Sequence, residues 1–310
     1  MNKYINMIQK KINILVVGDV MVDLFSFCHS YKKSTEAGIP IFSIDKHELR
    51  LGGAANVWNN IKGLNAEAFL CGSIGSDKFG RFIKECIGLN GLLTINKKTT
   101  LKHRYYIKNK QIFRVDYDYI CSHTKKTYDN ILKALQSYDF DAIIISDYKK
   151  GFCDKYFINN LIEYAKSKNI FIGVDSKAED IVRFTGVNLL KINEFEYNSF
   201  FKREFNVNHI NYIRDTISKY NIDKIIITLG KNGMYLIDKH ILIKPNINFI
   251  KNADVIGAGD CVIACFTVAY LNNLPLYDCM NFAQLCTEYC IQKIGTKSFN
   301  IEEFKKEDYE

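Results

Sequence analysis

Long apolar runs are missing from this sequence of 310 residues. No segment approaches the roughly 18 uninterrupted apolar residues that a membrane helix needs. Residues 1–11 mix polar and apolar side chains and lack the apolar core of a secretory signal peptide. We therefore expect a cytoplasmic protein that has no membrane partner.

Closely spaced cysteine pairs are also missing, although the chain contains 10 cysteines. No Cys-x-x-Cys occurs, and the pairs Cys261/Cys265 and Cys286/Cys290 lie within apolar helical patterns. This spacing does not fit a zinc site. In a cytosolic chain it favours reduced, buried thiols that act as small hydrophobic residues.

The sequence has no concentrated block of positive charge. Its formal net charge is +8, from 42 Lys and Arg against 34 Asp and Glu, but the lysines are scattered. Such scattering is typical of solvated faces and not of a nucleic-acid-binding patch. We expect no nucleic-acid partner, while a modestly basic surface would attract anionic substrates.

Two common nucleotide-binding loops are absent. No Gly-x-x-x-x-Gly-Lys-Ser/Thr occurs, which excludes a Walker A loop, and residues 295–298 resemble only its end. No Gly-x-Gly-x-x-Gly follows the first predicted strand, which disfavours a dinucleotide-dependent enzyme.

What the sequence does contain is an alternation of buried-strand runs with amphipathic helices. With 47% hydrophobic residues it can fill a substantial core. The alternation predicts an α/β fold, a mostly parallel sheet with helices on both faces, in a single domain of residues 1–310. The predicted strands are 12–17, 66–71, 142–146, 171–175, 189–192 and 224–228, and the predicted helices are 54–63, 78–87, 125–138, 155–168 and 209–220.

Two stretches, at about 39–51 and 101–116, break this alternation. They are typical of short antiparallel strands, and the second contains a polar turn at 108–110. We predict that they form a small β lid over the substrate entrance. Unpaired strand edges and apolar residues on such a lid favour a homodimer.

The most specific local feature is the run from Asp254 to Asp260, Asp-Val-Ile-Gly-Ala-Gly-Asp, which precedes an apolar helical pattern. Gly257, Ala258 and Gly259 would let backbone amides converge at a helix N-terminus and form an anion hole. Asp260 would then be placed to accept the proton of an attacking hydroxyl. The alternative is that Asp260 only caps the helix.

A second feature lies near the N-terminus. Asp19 and Asp23 follow the first predicted strand, and Gly52, Gly53 and Asn56 open a predicted helix. Carboxylates at the carboxyl end of a parallel strand point into the ligand crevice, where they can accept hydrogen bonds from sugar hydroxyls. The alternative is a turn aspartate with a glycine pair that only packs the helix.

The motif Gly-Gly-Ala-Ala-Asn at 52–56, with the glycines of 72–80, resembles the first signature of the PfkB, or ribokinase-like, carbohydrate kinases. Residues 254–260 resemble their second signature, although Ile256 replaces the usual Thr or Ser. The likeness covers about 12–296. It implies a ribokinase-like fold and an ATP-dependent sugar kinase that uses Mg²⁺ with ATP and Asp260 as catalytic base.

The resemblance also implies a nucleotide site. Asn193 and Glu196 match an Asn-x-x-Glu segment in which the carboxylate places Mg²⁺ through water. The binding of a monovalent cation such as K⁺ near Asp254 is left open. Gln284 stands where Asn is usual in the family, and we assign it no role. The implied ATP-binding residues are Asn193, Thr228, Gly230, Gly233, Gly257 and Gly259.

Within the family, several segments resemble the kinases that phosphorylate D-glycero-D-manno-heptose 7-phosphate at O1, giving the 1,7-bisphosphate in bacterial heptose biosynthesis. A phosphorylated acceptor needs cations, and Arg104 and Lys149 are the candidates, unless they are ordinary solvated charges. The segment 34–40 departs from the usual pattern by the loss of two prolines. The resembling segments are 16–23, 34–40, 114–116, 146–151 and 293–296.

Other interpretations stay open at this point. No His-x-Gly-His of an adenylyltransferase occurs, so we expect a stand-alone kinase. A ribo-, fructo- or nucleoside kinase would share the same catalytic residues with another acceptor. A non-catalytic sugar or nucleotide sensor is also compatible with the fold, but its expected mark, the loss of Asp260 or of the glycines beside it, is not present.

Overall fold

The computed structural model describes residues 1–88, 91–96, 98–121, 123–248, 250–251 and 253–308. Its strands are β1 (Asn13–Gly18), β2 (Val20–Lys33), β3 (Pro40–Gly53), β4 (Glu67–Gly75), β5 (Gly91–Asn96), β6 (Thr100–Ile107), β7 (Lys110–Tyr117), β8 (Ala142–Asp147), β9 (Phe171–Ser176), β10 (Leu189–Asn193), β11 (Lys224–Thr228), β12 (Met234–Asp238) and β13 (Leu242–Ile243).

The helices are α1 (Asn2–Met7), α2 (Ala54–Gly63), α3 (Lys78–Ile87), α4 (Lys125–Leu135), α5 (Lys155–Ser167), α6 (Glu194–Phe201), α7 (Ile210–Lys219), α8 (Ala258–Leu271), α9 (Leu276–Ile291) and α10 (Ile301–Asp308). None of the helices in these described ranges has both the length and the apolar character needed to cross a membrane.

The main sheet has nine strands in the order β13-β12-β11-β10-β9-β8-β1-β4-β5. The strands from β11 to β5 in this order run parallel, while β12 and β13 add an antiparallel edge. Runs such as Ile143–Ile145 are buried on both sides because helices cover both faces of a parallel sheet. The predicted fold class is therefore confirmed.

The two faces of this sheet have separate cores. Along β1, Ile14 and Val16 join the core of α2, α8 and α9. Leu15 and Val17 point the other way and join the core of α4, α5 and α7. All ten cysteines are free, and all except Cys86 are buried, as their spacing predicts.

A second sheet, the lid sheet, has the order β3-β2-β6-β7. The predicted segments 39–51 and 101–116 fall in β3, β6 and β7, but the long strand β2 was not predicted. Opposite residues in the register include Asp23 with Arg50, and Phe25 with Arg104. Asp23, Phe25 and Arg104 on this face are buried.

Candidate active site

The carboxyl ends of β1 and of β8 to β11 meet at one edge of the main sheet, because these strands are parallel. Helix α8 begins at the same edge. A cavity of about 430 Å³ opens there between the strand ends and α8. The residues that line it include Asp175, Lys191, Asn193, Thr228, Gly233 and Gly259.

Small residues at the start of α8 allow close approach from two sides. Gly257 has φ 79°, and a Cβ there would lie 2.7 Å from Asn56 Nδ2. A Cβ on Gly259 would lie 2.4 Å from Lys191 Nζ. The amides of the first helical turn and a buried ammonium thus face the cavity together. Such an arrangement can bind an anion, as predicted for residues 257–259.

Asp260 lies between this cavity and the lid sheet, and only 3% of it is exposed. Its Oδ2 accepts a hydrogen bond from Asn56 Nδ2 at 2.7 Å, and its Oδ1 accepts one from Tyr148 Oη at 2.8 Å. The N-cap of α8 is Gly257, with no side-chain cap bond, so Asp260 does not merely cap the helix.

The protonation of Asp260 is set mainly by burial. Burial raises its pKa to about 7, with a further contribution from the charge of Asp175, against the opposing effects of Asn56, Tyr148 and Lys191. A carboxyl group with a pKa near neutral pH can take up and release a proton under physiological conditions.

Lys191 is a functional candidate that the sequence analysis did not single out. Its Nζ lies 2.9 Å from Asp175 Oδ2, and both side chains are buried. Burial alone would lower the pKa of Lys191, but the charges of Asp175 and Glu196 outweigh it and raise the pKa. The ammonium therefore stays charged beside Gly259. A lysine within the otherwise apolar run 189–192 was the available signal.

Asn193 and Glu196 form a capping box at the start of α6. Asn193 Oδ1 accepts from Glu196 N at 2.9 Å, and Glu196 accepts from Asn193 N at 2.7 Å and from Asn193 Nδ2 at 2.8 Å. Burial raises the pKa of Glu196, and the charge of Asp175 adds to this. Thr228, Gly230 and Gly233 also line the cavity, so the predicted ATP-binding residues lie together.

The cavity could hold Mg²⁺ only together with a bound ligand. Within the described residues, no group of three or more His, Cys, Asp or Glu could hold a metal ion. Glu196 and Asp175 both reach the cavity with carboxylate oxygens, the donors that Mg²⁺ prefers. Phosphate oxygens and water would complete such a coordination shell.

On the other side of Asp260, Asp23 and Arg104 form a buried ion pair, with Arg104 Nη1 2.9 Å from Asp23 Oδ1. Thr296 Oγ1 donates to Asp23 Oδ2 at 2.7 Å. Burial raises the pKa of Asp23 against the opposing charge of Arg104. In the described part of the chain, Asp23 Oδ1 and Arg104 Nε and Nη1 make no hydrogen bond of good geometry. Arg104 Nε, which takes no part in the ion pair, is the atom left to bind a hydroxyl or phosphate group.

Gly52, Gly53 and Asn56 lie beside this ion pair. A Cβ on Gly52 would be 2.7 Å from Asp23 Oδ2, and one on Gly53 would be 2.4 Å from the carbonyl oxygen of Asp19. Asn56 contacts Asp260 directly. The absence of a Cβ therefore lets Gly52 pack closely against the Asp23 carboxylate and Gly53 against the backbone of Asp19.

Asp19 is placed differently from the prediction that it meets a substrate hydroxyl. Its Oδ2 accepts from the backbone N–H groups of Tyr148 at 2.8 Å and Lys150 at 2.9 Å, and its Oδ1 accepts from Phe152 N at 3.1 Å. Burial raises its pKa to about 6. Asp19 thus holds the loop that carries Tyr148, a residue of the segment 146–151 to which the sequence analysis gave no role of its own.

Lys149 is not brought to the Asp23–Arg104 pair. Its backbone has φ 58°, and its ammonium forms an ion pair with Glu179 on the surface. Nearly half of its side chain is exposed. The cations that do lie near Asp23 are Lys102, Arg104 and Arg114, which we call the lid cations.

Asp254 joins three segments beneath the lid sheet. Its Oδ2 accepts from Tyr106 Oη at 2.8 Å and from Gly295 N at 2.9 Å, and its Oδ1 accepts from Ile256 N at 3.2 Å. Beside it, the Arg50 guanidinium donates to the carbonyl groups of residues 294 and 296. The Arg50 guanidinium therefore lies near Asp254, where the sequence analysis left open the binding of a monovalent cation.

The sequence was compared with known proteins. The profile described as pfkB family carbohydrate kinase matches residues 11–303. Bifunctional protein HldE of Campylobacter jejuni is 34% identical over 311 residues, which cover 97% of this chain and 66% of that relative. HldE of Helicobacter pylori is 32% identical over 302 residues, covering 94% of this chain and 65% of that relative. The chain thus spans slightly less than two thirds of the length of these relatives.

Solved structures share the fold at low sequence identity. Phosphofructokinase-2 from Escherichia coli in complex with substrates and products has a TM-score of 0.79 at 16% identity, covering 96% of this chain and 98% of that chain. Ribokinase from Arabidopsis thaliana complexed with ribose and ATP has a TM-score of 0.73 at 16% identity, with the same coverage. A ribokinase-like fold is therefore shown.

Proposed function

Because this chain belongs to the pfkB family of carbohydrate kinases, we propose that it transfers the terminal phosphate of ATP to O1 of D-glycero-D-manno-heptose 7-phosphate. The chain is a phosphotransferase that acts on a sugar hydroxyl; the heptose phosphate is the proposed acceptor. The resembling segments 16–23, 34–40, 114–116, 146–151 and 293–296 support this acceptor.

The observation that carries the proposal is the position of Asp260. It lies in the first turn of α8, next to residues 257–259 of the cavity lining, and Thr296, which donates to Asp23, approaches the same turn at Gly257. A hydroxyl bound beside Asp23 and a phosphate bound at residues 257–259 would meet at this carboxylate.

In the proposed reaction, the sugar O1 attacks the terminal phosphorus of ATP, and the bond from that phosphorus to the bridging oxygen of ADP breaks. Asp260 accepts the O1 proton as the new bond forms. The amides of residues 258–260 and the Lys191 ammonium stabilise the charge on the transferring phosphoryl oxygens. Asn56 and Tyr148 orient the Asp260 carboxylate, which still has free lone pairs.

We assign the metal side of the reaction to Glu196 and Asp175. When Mg²⁺ is bound, it neutralises the triphosphate charge. Asn193 orients Glu196 through the capping box, and Lys191 pairs with Asp175.

We assign the acceptor phosphate to the lid cations. They share one face of the lid sheet with Asp23, because Asp23 is opposite Lys102 and Arg104 is opposite Arg114 in the strand register. Arg114 is about half exposed, so its guanidinium can reach a ligand at the entrance. A guanidinium can bind a phosphate with two parallel hydrogen bonds.

The test is competition at fixed ATP between heptose 7-phosphate, unphosphorylated heptose, fructose 6-phosphate and ribose. We expect heptose 7-phosphate to have the highest kcat/KM, because a buried polar site rejects acceptors that leave its groups unpaired. Preference for ribose or fructose 6-phosphate would leave a pfkB-family kinase but contradict the heptose proposal. ATP binding without phosphorylation of any sugar would instead favour a sensor.

Arg114→Leu tests the assignment of the acceptor phosphate, with Lys110→Leu at the tip of the same strand as its matched control. Only Arg114→Leu should lower the preference for heptose 7-phosphate over unphosphorylated heptose, by about 10-fold, since it removes one charge-assisted contact. An equal effect of both variants would contradict the assignment.

We propose that a K⁺ ion near Asp254 adds little to catalysis in this chain. The E. coli phosphofructokinase-2 structure in complex with potassium shares the fold, with a TM-score of 0.79. Here Arg50 already places positive charge on the carbonyl groups of residues 294 and 296. Replacement of K⁺ by choline in the assay should therefore change activity only slightly.

For the assembly, we propose a homodimer in which two lid sheets cover each other, in the cytoplasm. Exposed apolar side chains on the lid sheet support this proposal: Ile39, Ile41, Ile44, Leu49, Phe113 and Tyr117. Light scattering over a dilution series tests it, with Phe113→Asp expected to favour the monomer. A fully active monomer at micromolar concentration would contradict the proposed role of the dimer.

A further inference from the structure

One end of the 430 Å³ cavity is lined by α9 and by the strand that follows the loop at residues 230–233. Its lining is mostly apolar and includes Met234, Val262 and Ile291, with the polar side chain of Gln284 among them. The anion-binding residues 257–259 lie at another part of the same cavity. A nucleotide with its phosphates at α8 would place its base against this apolar wall.

The amide of Gln284 is held by a buried carboxylate one helical turn further along α9. Glu288 is 4% exposed and accepts three N–H groups, from Gln284 Nε2 at 2.8 Å, Asn248 N at 2.8 Å and Asn248 Nδ2 at 2.7 Å. An ionised carboxylate can only accept hydrogen bonds. Gln284 must therefore direct its NH₂ group to Glu288.

This orientation leaves the carbonyl oxygen of Gln284 facing the cavity. A Cβ placed on Gly233 would lie 4.0 Å from Gln284 Oε1, so the oxygen is beside the loop that lines the nucleotide site. In the described ranges of the chain, no group donates a hydrogen bond to this oxygen. The base end of the cavity thus offers an acceptor whose direction is fixed.

We propose that Glu288 is a positioning residue that fixes the Gln284 amide, and that the Gln284 carbonyl selects purines with an amino group at position 6 over purines with an oxo group at that position. The inference rests on the proposed function, since it concerns the donor nucleotide of that reaction. Adenine presents an N–H donor at position 6. Hypoxanthine and guanine present an oxygen there. This oxygen would face the Gln284 carbonyl oxygen, so neither acceptor would receive a hydrogen bond.

The experiment compares the binding of ATP and inosine triphosphate, which differ only in the adenine or hypoxanthine base, by calorimetry on the full chain with Mg²⁺. We expect ATP to bind about 10-fold more tightly, a difference typical of one lost hydrogen bond. In Glu288→Gln the new side chain can donate as well as accept, so the Gln284 amide can turn and the two affinities should become similar.

Two further variants separate this role from a structural one. Gln284→Leu removes the selecting oxygen and should also equalise the affinities, which keeps the inference testable should Glu288→Gln not fold. Gln292→Leu is the matched control, since Gln292 lies later on the same helical segment and bonds only the backbone of residue 288. It should keep the preference for ATP.

The outcomes distinguish the two proposals. Equal binding of ATP and inosine triphosphate by the unchanged chain would overturn the inference and leave the kinase proposal intact. Selectivity that survives both Glu288→Gln and Gln284→Leu would overturn it as well. A chain that binds neither nucleotide would contradict the proposed function itself.

Discussion

The two halves of the proposed cleft differ in the groups that they offer to a ligand. In the nucleotide half, the groups proposed to meet a phosphate are backbone amides of α8 and a single buried ammonium, Lys191. In the acceptor half, they are charged side chains of the lid sheet, with Asp23 and Arg104 at the centre. The nucleotide half depends mainly on backbone amides that are accessible because glycines lack side chains, whereas the acceptor half depends on charged side chains.

Charge is also balanced differently in the two halves. The pair Lys191–Asp175 is buried in the main sheet, and the pKa of Lys191 is raised. In the lid sheet, burial raises the pKa of Asp23 although three cations surround it. The nucleotide half is therefore preorganised for a fixed negative charge. In the acceptor half, Asp23 and Arg104 pair with each other, and the buried Arg104 Nε has no hydrogen-bond partner among the described residues, so a bound ligand would satisfy it.

Asp260 belongs to both halves, so its replacement should have the largest effect. Asp260→Asn should lower kcat by about 10²-fold or more, because general-base assistance is lost while positioning survives. ATP binding, measured by calorimetry, should change little. Asp154→Asn at the cap of α5 is the control and should keep normal turnover. Near-normal kcat in Asp260→Asn would contradict the assignment of Asp260 as base.

Arg104→Leu should weaken acceptor binding and leave nucleotide binding unchanged. It leaves Asp23 buried without its cation, so the free energy of unfolding should fall by about 3 kcal/mol. The KM of the acceptor should rise about 10-fold or more, while the KM of ATP stays constant. Urea unfolding and steady-state kinetics measure these effects.

The double variant Asp23→Asn/Arg104→Leu separates stability from binding. It removes the uncompensated charge and should recover much of the stability, but it should not recover acceptor affinity. Recovery of both would mean that the ion pair only supports the lid sheet.

The same division between the halves decides what could be predicted from the sequence. The sequence could place Gly257, Gly259 and Asp260 together at the start of a helix, because they are adjacent in the chain where the apolar helical pattern begins, and α8 does start there. Six strands of the main sheet, β1, β4 and β8 to β11, were predicted because they are short apolar runs: 224–228 was predicted and Lys224–Thr228 is observed. The strands β5, β12 and β13 at the two edges of the sheet were not predicted.

The acceptor half depends on pairing between distant segments. Strand β2 was missed because its 14 residues show no strict alternation of polar and apolar side chains, and its partners lie in β3 and β6. Asp19 was predicted to meet a sugar, but the loop at 148–152 returns to it from a distant strand. No local pattern could indicate that contact or the outward direction of Lys149.

Glu196→Gln should affect the nucleotide half and not the acceptor half. It should raise the Mg²⁺ concentration for half-maximal activity several-fold, because one carboxylate oxygen near the triphosphate loses its charge. The KM of the acceptor should not change. A Mg²⁺ titration of activity measures this, with Glu194→Gln, the exposed neighbour at the start of α6, as control. A normal titration with a weakened acceptor KM would assign Glu196 to the acceptor half.

Tyr148→Phe should have the smallest effect, a shift in the pH dependence. Tyr148 donates a hydrogen bond to Asp260, which favours the ionised carboxylate and lowers its pKa against the effect of burial. Without this bond the pKa of Asp260 rises above about 7, and the base is ionised only at higher pH. The acid limb of kcat/KM should therefore move upward by about half a pH unit, with most of the lost activity below pH 7. Tyr156→Phe, which removes an exposed hydroxyl bonded to Asp129, should leave the profile unchanged. A downward shift in Tyr148→Phe would mean that the hydroxyl stabilises the protonated carboxyl group of Asp260. It would contradict the assignment of ionised Asp260 as the base that the two halves share.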